Sequence, residues 1–138
     1  MRTLTALIVF FCLAGVVVSG MALGEHYNTQ SSPCRIDAVW DCGIVNQSPF
    51  AELHSVPVAM IGIVGYALLG SLAGRFPWIV VGGALFGMIF ALRLTWIEWK
   101  LLQVWCIYCV SSQGIIIVVL VLALAQAFLS MKRNAARA

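Results

Sequence analysis

Five cysteines are the residues most able to do chemistry in this chain, and four of them fall into two pairs. Cys34 and Cys42 are separated by seven residues, and Cys106 and Cys109 bracket a Cys-Ile-Tyr-Cys run. The thiolate is the nucleophile and the metal ligand, and two dithiols in one chain can pass electrons by thiol–disulfide exchange. Spacing alone leaves alternatives open, because zinc sites and redox motifs share Cys-x-x-Cys, and Cys34 with Cys42 is equally a staple for a loop. If Cys106 and Cys109 open a helix, their i,i+3 spacing puts both sulfurs on one face within bridging range. The positive end of the helix dipole then favours the thiolate of Cys106, in the first turn, over a free thiol titrating near about 8.5. Cys109 would lie one turn deeper, where a membrane-dissolved ligand reaches it and bulk water does not. Cys12 stands alone in an apolar run and reads as a small core residue.

The elements that must position these thiols follow from composition. The chain has 138 residues, 62% hydrophobic and 9% charged, where soluble domains carry about 25% charged residues. That excludes a water-soluble globule. A net charge of +3, from eight Lys/Arg against five Asp/Glu, is too sparse for a nucleic-acid surface. Apolar stretches at about 4–23, 56–73, 78–96 and 105–129 approach the roughly 20 residues a helix needs to cross a bilayer. Backbone groups in lipid must bond internally, so the spans are expected to be helices, and the short link from Gly74 to Pro77 makes its neighbours antiparallel. The expected fold is all-α and integral to a membrane. It is one domain over 1–138, a bundle of four transmembrane helices with a long exterior loop, 24–55, between the first and second. Arg2, the apolar run and the small residues Val18, Ser19 and Gly20 also resemble a secretory signal. The run continues to Leu23, past the usual h-region of about 7–15 residues, which favours a retained helix. Lys132 to Ala138 reads as a tail too short to fold.

The few charges set an orientation. Arg2, Arg75, Lys132, Arg133 and Arg137 share one side of an alternating topology, and Glu25, Arg35, Asp37, Asp41, Glu52, Glu98 and Lys100 the other. The Lys/Arg excess makes the first side cytoplasmic, with both termini inside and four cysteines outside. Trp96, Trp99 and Trp105 are expected in the outer interfacial belt and Trp78 in the inner one. An exterior compartment permits disulfides.

The run Cys34-Arg-Ile-Asp-Ala-Val-Trp-Asp-Cys42, then Ser48, then Val56-Pro57-Val58-Ala59-Met60-Ile61-Gly62, and finally Trp105-Cys106-Ile-Tyr-Cys109 resembles the vitamin K epoxide reductase family over nearly the whole chain. The bacterial disulfide bond formation protein B family has a similar plan but carries Cys-x-x-Cys in its first loop. The resemblance implies that Cys34 exchanges with a thioredoxin-fold partner, that Cys42 hands electrons to Cys106, and that Cys109 faces a quinone. It places Ser48 beside the site, with Phe50 and Trp40 as candidate covers. Vertebrate members have asparagine where Val58 stands and tyrosine where Gln113 stands. The resemblance therefore points to a respiratory quinone, ubiquinone or menaquinone, and leaves reduction of vitamin K or its epoxide as the alternative. Val58 and Gln113 remain candidate substrate contacts, and the redox partner is expected to be a separate thiol oxidase.

The expected function is a quinone-coupled membrane thiol oxidoreductase that supports disulfide bond formation, in a bacterial inner membrane with its site facing the periplasm. A thiolate metal-binding membrane protein is the alternative from another class. Plainer readings stand beside several residues. Ser48 with Pro49 fits a helix N-cap, Gln113 fits an interhelical hydrogen bond, and Arg93 can snorkel to the outer interface. His26 and His54 read as surface residues, and Gly70 with Gly74 and Gly83 with Gly87 as close helix packing.

Overall fold

A computed structural model of the chain describes residues 1–28, 30 and 33–138. Thr29, Ser31 and Ser32 of the expected loop lie outside the described residues. The chain is mostly helical: α1 (Arg2–Tyr27), a short α2 (Cys42–Asn46), α3 (Val58–Leu72), α4 (Pro77–Ile97) and α5 (Ile107–Arg137). A 3₁₀ turn at Pro49–Ala51 leads into a two-stranded hairpin, β1 (Glu52–Leu53) and β2 (Val56–Pro57). A π turn, Glu98–Leu102, prolongs α4.

Among the described residues, three helical stretches are long and apolar enough to cross a membrane: Arg2–Tyr27, Pro77–Leu102 and Ile107–Arg137. The fourth apolar helix, α3, has 15 residues and rises about 22 Å, short of a hydrocarbon core of about 30 Å. The expected start at Val56 moves to Val58 because Val56 and Pro57 pair with Leu53 and Glu52. The hairpin turns on His54 and Ser55, both at positive φ, 52° and 66°, as a two-residue turn between twisted strands demands. Proline ends the α3–α4 link. Phe76, before Pro77, is held out of the helical region at ψ 73°, and Pro77 opens α4, where a missing N–H costs nothing. The expected tail is helical instead, since α5 runs to Arg137. Once a helix is nucleated, each added residue gains a hydrogen bond at little cost.

α1 packs between α3 and α5, and α4 packs on α5 and α3. The core they share is built from Ile8, Cys12, Tyr66, Leu69, Ala73, Val80, Ala84, Ile116, Val119, Leu120 and Ala123. Small residues let the backbones approach. A Cβ on Gly70 would sit 3.2 Å from Cys12, and one on Gly83 2.8 Å from Leu69. Polar side chains tie the helices where lipid offers no partner: Gln126 donates to Thr5 Oγ1 at 3.0 Å and to the Ala73 carbonyl at 2.8 Å. The outward faces are apolar, with Phe10, Leu13, Val17, Phe86, Ile89 and Val121 exposed, as side chains against lipid would be.

Candidate functional site

The two cysteine pairs meet at one end of the bundle through a backbone clamp. The Trp105 amide donates to the Val39 carbonyl at 2.7 Å, and the Asp41 amide donates to the Trp105 carbonyl at 3.1 Å. This bridge, with the Trp40 and Trp105 rings 6.4 Å apart, fixes the residue before Cys42 beside the residue before Cys106. Asp41 also caps α2, accepting from the Ile44 amide at 3.2 Å, while its other oxygen meets Arg35 at 3.3 Å. A short polar side chain at the N-cap satisfies an orphan donor, so Cys42 is held at the first position of α2.

Cys34 and Cys42 form a disulfide, with Cα atoms 5.6 Å apart. Both belong to a buried cluster with Val45, Val104 and Cys106, against which Leu102, Tyr108 and Cys109 pack. Cys106 and Cys109 are free thiols.

Cys106 differs in position from the sequence reading. It is the N-cap of α5 rather than a residue of its first turn, and its Sγ accepts from the Cys109 amide at 3.4 Å. Asn46, at the end of α2, donates its side-chain amide to the same sulfur at 3.4 Å and to the Cys42 carbonyl at 2.9 Å. The Cys109 thiol, then the Cys109 amide and Asn46, hold the Cys106 thiol below the ordinary thiol range, against burial and the nearby charge of Glu98, which push it up. Donors converging on a sulfur favour its thiolate, the form that exchanges. The Cys106 amide in turn donates to Glu98 Oε2 at 3.2 Å.

Cys109 lines a cavity of about 610 Å³ that runs between α1, α3, α4 and α5. Its walls are largely apolar, with Phe86, Phe90, Leu69 and Ile116 among them, and its polar groups include Asn46, Ser48, Tyr66, Glu98, Tyr108 and Ser112. Ser48, Phe50 and Val58 all line this cavity; Gln113 is not among its lining residues. Instead the Gln113 Oε1 accepts from the Thr95 hydroxyl, an interhelical hydrogen bond. Ser48 takes the cap position of the 3₁₀ turn without a capping bond, and its hydroxyl donates back to the Val45 carbonyl at 2.8 Å. The cavity is extended by Tyr66, whose hydroxyl meets the Ser112 carbonyl at 2.7 Å and hydroxyl at 2.9 Å. Arg93 is exposed on α4 and is not among the residues lining this cavity.

A family model for the vitamin K epoxide reductase family matches residues 6–124. The chain belongs to the vitamin K epoxide reductase family. Compared with individual curated proteins, it matches none. Membership implies a membrane thiol oxidoreductase, in keeping with the paired cysteines and apolar helices.

Three residues of the vitamin K epoxide reductase-like site escaped the sequence reading. Asn46 is one of several polar loop residues, and nothing local marks it as a partner of Cys106. His26 is not a plain surface residue: its Nδ1 meets the Asn46 carbonyl at 2.5 Å and its Nε2 the Glu52 carboxylate at 3.3 Å. Glu98 was counted as an exterior charge, yet it is 2% exposed. Its place in a π turn was the missing signal, since such turns cluster at functional sites.

Proposed function

We propose that this chain is a quinone-coupled membrane thiol oxidoreductase that draws electrons from a separate thioredoxin-fold thiol oxidase and so supports disulfide bond formation. One observation carries the reading. Cys42 and Cys106 are fully buried in one cluster, while Cys109, one helical turn on, opens onto the cavity. Thiols buried in one cluster suit exchange with each other, and a sulfur on an apolar cavity suits an acceptor dissolved in the membrane.

The relay then balances. A partner thiolate attacks Cys34, Cys42 leaves, and the partner's second thiol resolves the mixed disulfide, leaving Cys34 and Cys42 reduced. The Cys42 thiolate attacks Cys106 of an oxidised inner pair, Cys109 leaves, and Cys34 closes back onto Cys42. A joined loop pair beside a free inner pair corresponds to the end of that transfer. The hydrogen-bond donors on Cys106 make it the better leaving and attacking sulfur of the inner pair.

The cavity suits a quinone, which supplies two-electron acceptor chemistry when bound. Its apolar walls match a ring and isoprenoid chain, Phe50 and Val58 contribute to them, and Ser48 and the tyrosines bring hydroxyls. Gln113, held by Thr95, would support the wall. With no carboxamide at Val58, ubiquinone or menaquinone is the preferred acceptor, and vitamin K or its epoxide the second. The site is taken to face the periplasm of a bacterial inner membrane. α3 and the hairpin complete a fourth span, and both termini lie in the cytoplasm, as the Lys/Arg distribution favours.

The test uses the full chain reconstituted in lipid, a reduced thioredoxin-fold protein as donor and a short-chain ubiquinone as acceptor, followed by quinone absorbance. Wild type should reduce the quinone, and Cys109→Ser should not. If a variant lacking all four paired cysteines still reduced quinone at the donor's expense, the relay would be wrong. Parallel runs with vitamin K epoxide rank the acceptors. Stoichiometric zinc binding by the reduced chain, without quinone turnover, would favour the metal-binding alternative.

A further inference from the structure

Among the described residues, Glu98 is the one charged side chain lining the cavity. It is buried, one carboxylate oxygen accepts from the Cys106 amide at 3.2 Å, and the other, Oε1, is buried with no hydrogen-bond partner among the described residues. A carboxylate oxygen withheld from water and left unpaired is costly and is not explained by packing. The Cys109 thiol lies close enough to interact with the same carboxylate. The π turn brings this about. Its i→i+5 bond, from the Gln103 amide to the Glu98 carbonyl at 2.7 Å, folds the chain back through Gln103 at φ 55°, so that Glu98 comes to lie under the start of α5.

We propose that Glu98 is the proton carrier between Cys109 and the acceptor held in the cavity. This rests on the relay proposed above. The inner pair begins with Cys106 as thiolate and Cys109 as thiol. The Cys109 proton passes to the Glu98 carboxylate, the two sulfurs join, and the electron pair they give up goes to the acceptor. Glu98 returns its proton to the reduced acceptor, whose second proton comes from water. Two electrons and two protons are then accounted for, and Glu98 ends as it began. Among the described residues, no Lys, Arg, His or Asp lines the cavity to take this part. The amide hydrogen bond to Cys106 keeps the carboxylate in register with both sulfurs.

Glu98→Gln keeps an oxygen acceptor for the Cys106 amide and removes the base. The full chain in lipid is rapidly mixed first with a dithiol, reading reduction of the inner pair by thiol labelling, and then with a short-chain ubiquinone. In Glu98→Gln the first half-reaction should keep its rate while the second slows by about 10²- to 10⁴-fold, and Glu98→Asp should recover part of the loss. Alkylation of Cys109 against pH, mapped by mass and needing no quinone, should give a displaced profile in Glu98→Gln. Equal quinone rates in variant and wild type, or both half-reactions slowed together, would overturn the assignment. If wild type failed to reduce quinone, the relay would fall, and the alkylation profile would decide Glu98 separately: displaced it sustains the contact with Cys109, unchanged it removes it.

Discussion

Asn46 donates its side-chain amide to the sulfur of Cys106 at 3.4 Å, across a separation of 60 residues. The same amide group holds the carbonyl of Cys42 at 2.9 Å, so one short side chain fixes the loop pair and the inner pair to each other. The main-chain carbonyl of Asn46 is held by His26, from the end of α1. The two cysteine pairs are therefore joined through side chains from three separate elements, α1, α2 and α5.

Removing Asn46 should blunt the inner thiolate. The Cys106 thiol titrates below the ordinary thiol range, first through the Cys109 thiol and then through the Cys109 amide and Asn46. A depressed value means that these bonds contribute fully above the unfolded thiol pKa of about 8.5 and are lost as pH falls through the folded value. A hydrogen bond worth about 0.5–1.5 kcal/mol corresponds to a change of about 2- to 12-fold in the thiolate fraction. Asn46→Ala should slow iodoacetamide labelling of Cys106 by that factor at neutral pH and leave it unchanged in strong alkali. Equal labelling at neutral pH would remove Asn46 from the site.

The burial of the loop pair and Cys106 in one cluster predicts a trap. Without Cys34, the loop thiol that would carry the bond between Cys42 and Cys106 forward is gone, and only return attack by Cys109 can break it. Cys34→Ala, oxidised and digested without reductant, should yield a Cys42–Cys106 linked peptide as the main disulfide species. Cys34→Ala combined with Cys106→Ala should yield none. A dominant Cys42–Cys109 link instead would reverse the roles of the inner cysteines.

How far the sequence could be read is clear from the residues that went unnoticed. The two cysteine pairs stood out because thiols are rare, and the structure gathers both into one buried cluster. The long helices were legible because apolar runs have few other uses. The clamp between Trp40 and Trp105 was not, because its bonds run through the backbone and carry no side-chain signature. The burial of Glu98 was not legible, because it depends on the π turn, which has no signature in the residues around it. Cys106 slipped by one position, from first turn to cap, within the ordinary ambiguity of a helix boundary.

His26 should act on the site without touching a sulfur. Its ring bridges the Asn46 carbonyl and the Glu52 carboxylate, joining α1 to α2 and to the hairpin. Losing both contacts should cost about 1–3 kcal/mol. His26→Ala should lower the melting temperature in detergent and make the 30–55 loop more sensitive to protease. If the loop seats Asn46, Cys106 labelling should slow in step with that loss. Unchanged protease sensitivity would mean that Gln47, which donates to the Glu25 carbonyl at 3.2 Å, holds the loop without His26.

Gly15 links the packing of α1 to the shape of the cavity. A Cβ there would meet the Tyr66 ring at 2.6 Å, well inside van der Waals contact, and the ring cannot yield as a flexible chain end would. Tyr66 lines the cavity and is anchored to Ser112 by its hydroxyl. Gly15→Ala must push the ring inward or separate α1 from α3, and overpacking of this kind costs about 1–3 kcal/mol. Gly20, which has open space around it, should accept alanine without loss and serves as the control on the same helix. Melting temperature separates the two variants. If the ring moves inward, quinone reduction by Gly15→Ala should show a raised KM, with reduction of Cys34–Cys42 by the donor unchanged. A normal melting temperature together with an unchanged KM would show that α1 and α3 do not pack as closely as the Gly15–Tyr66 contact requires.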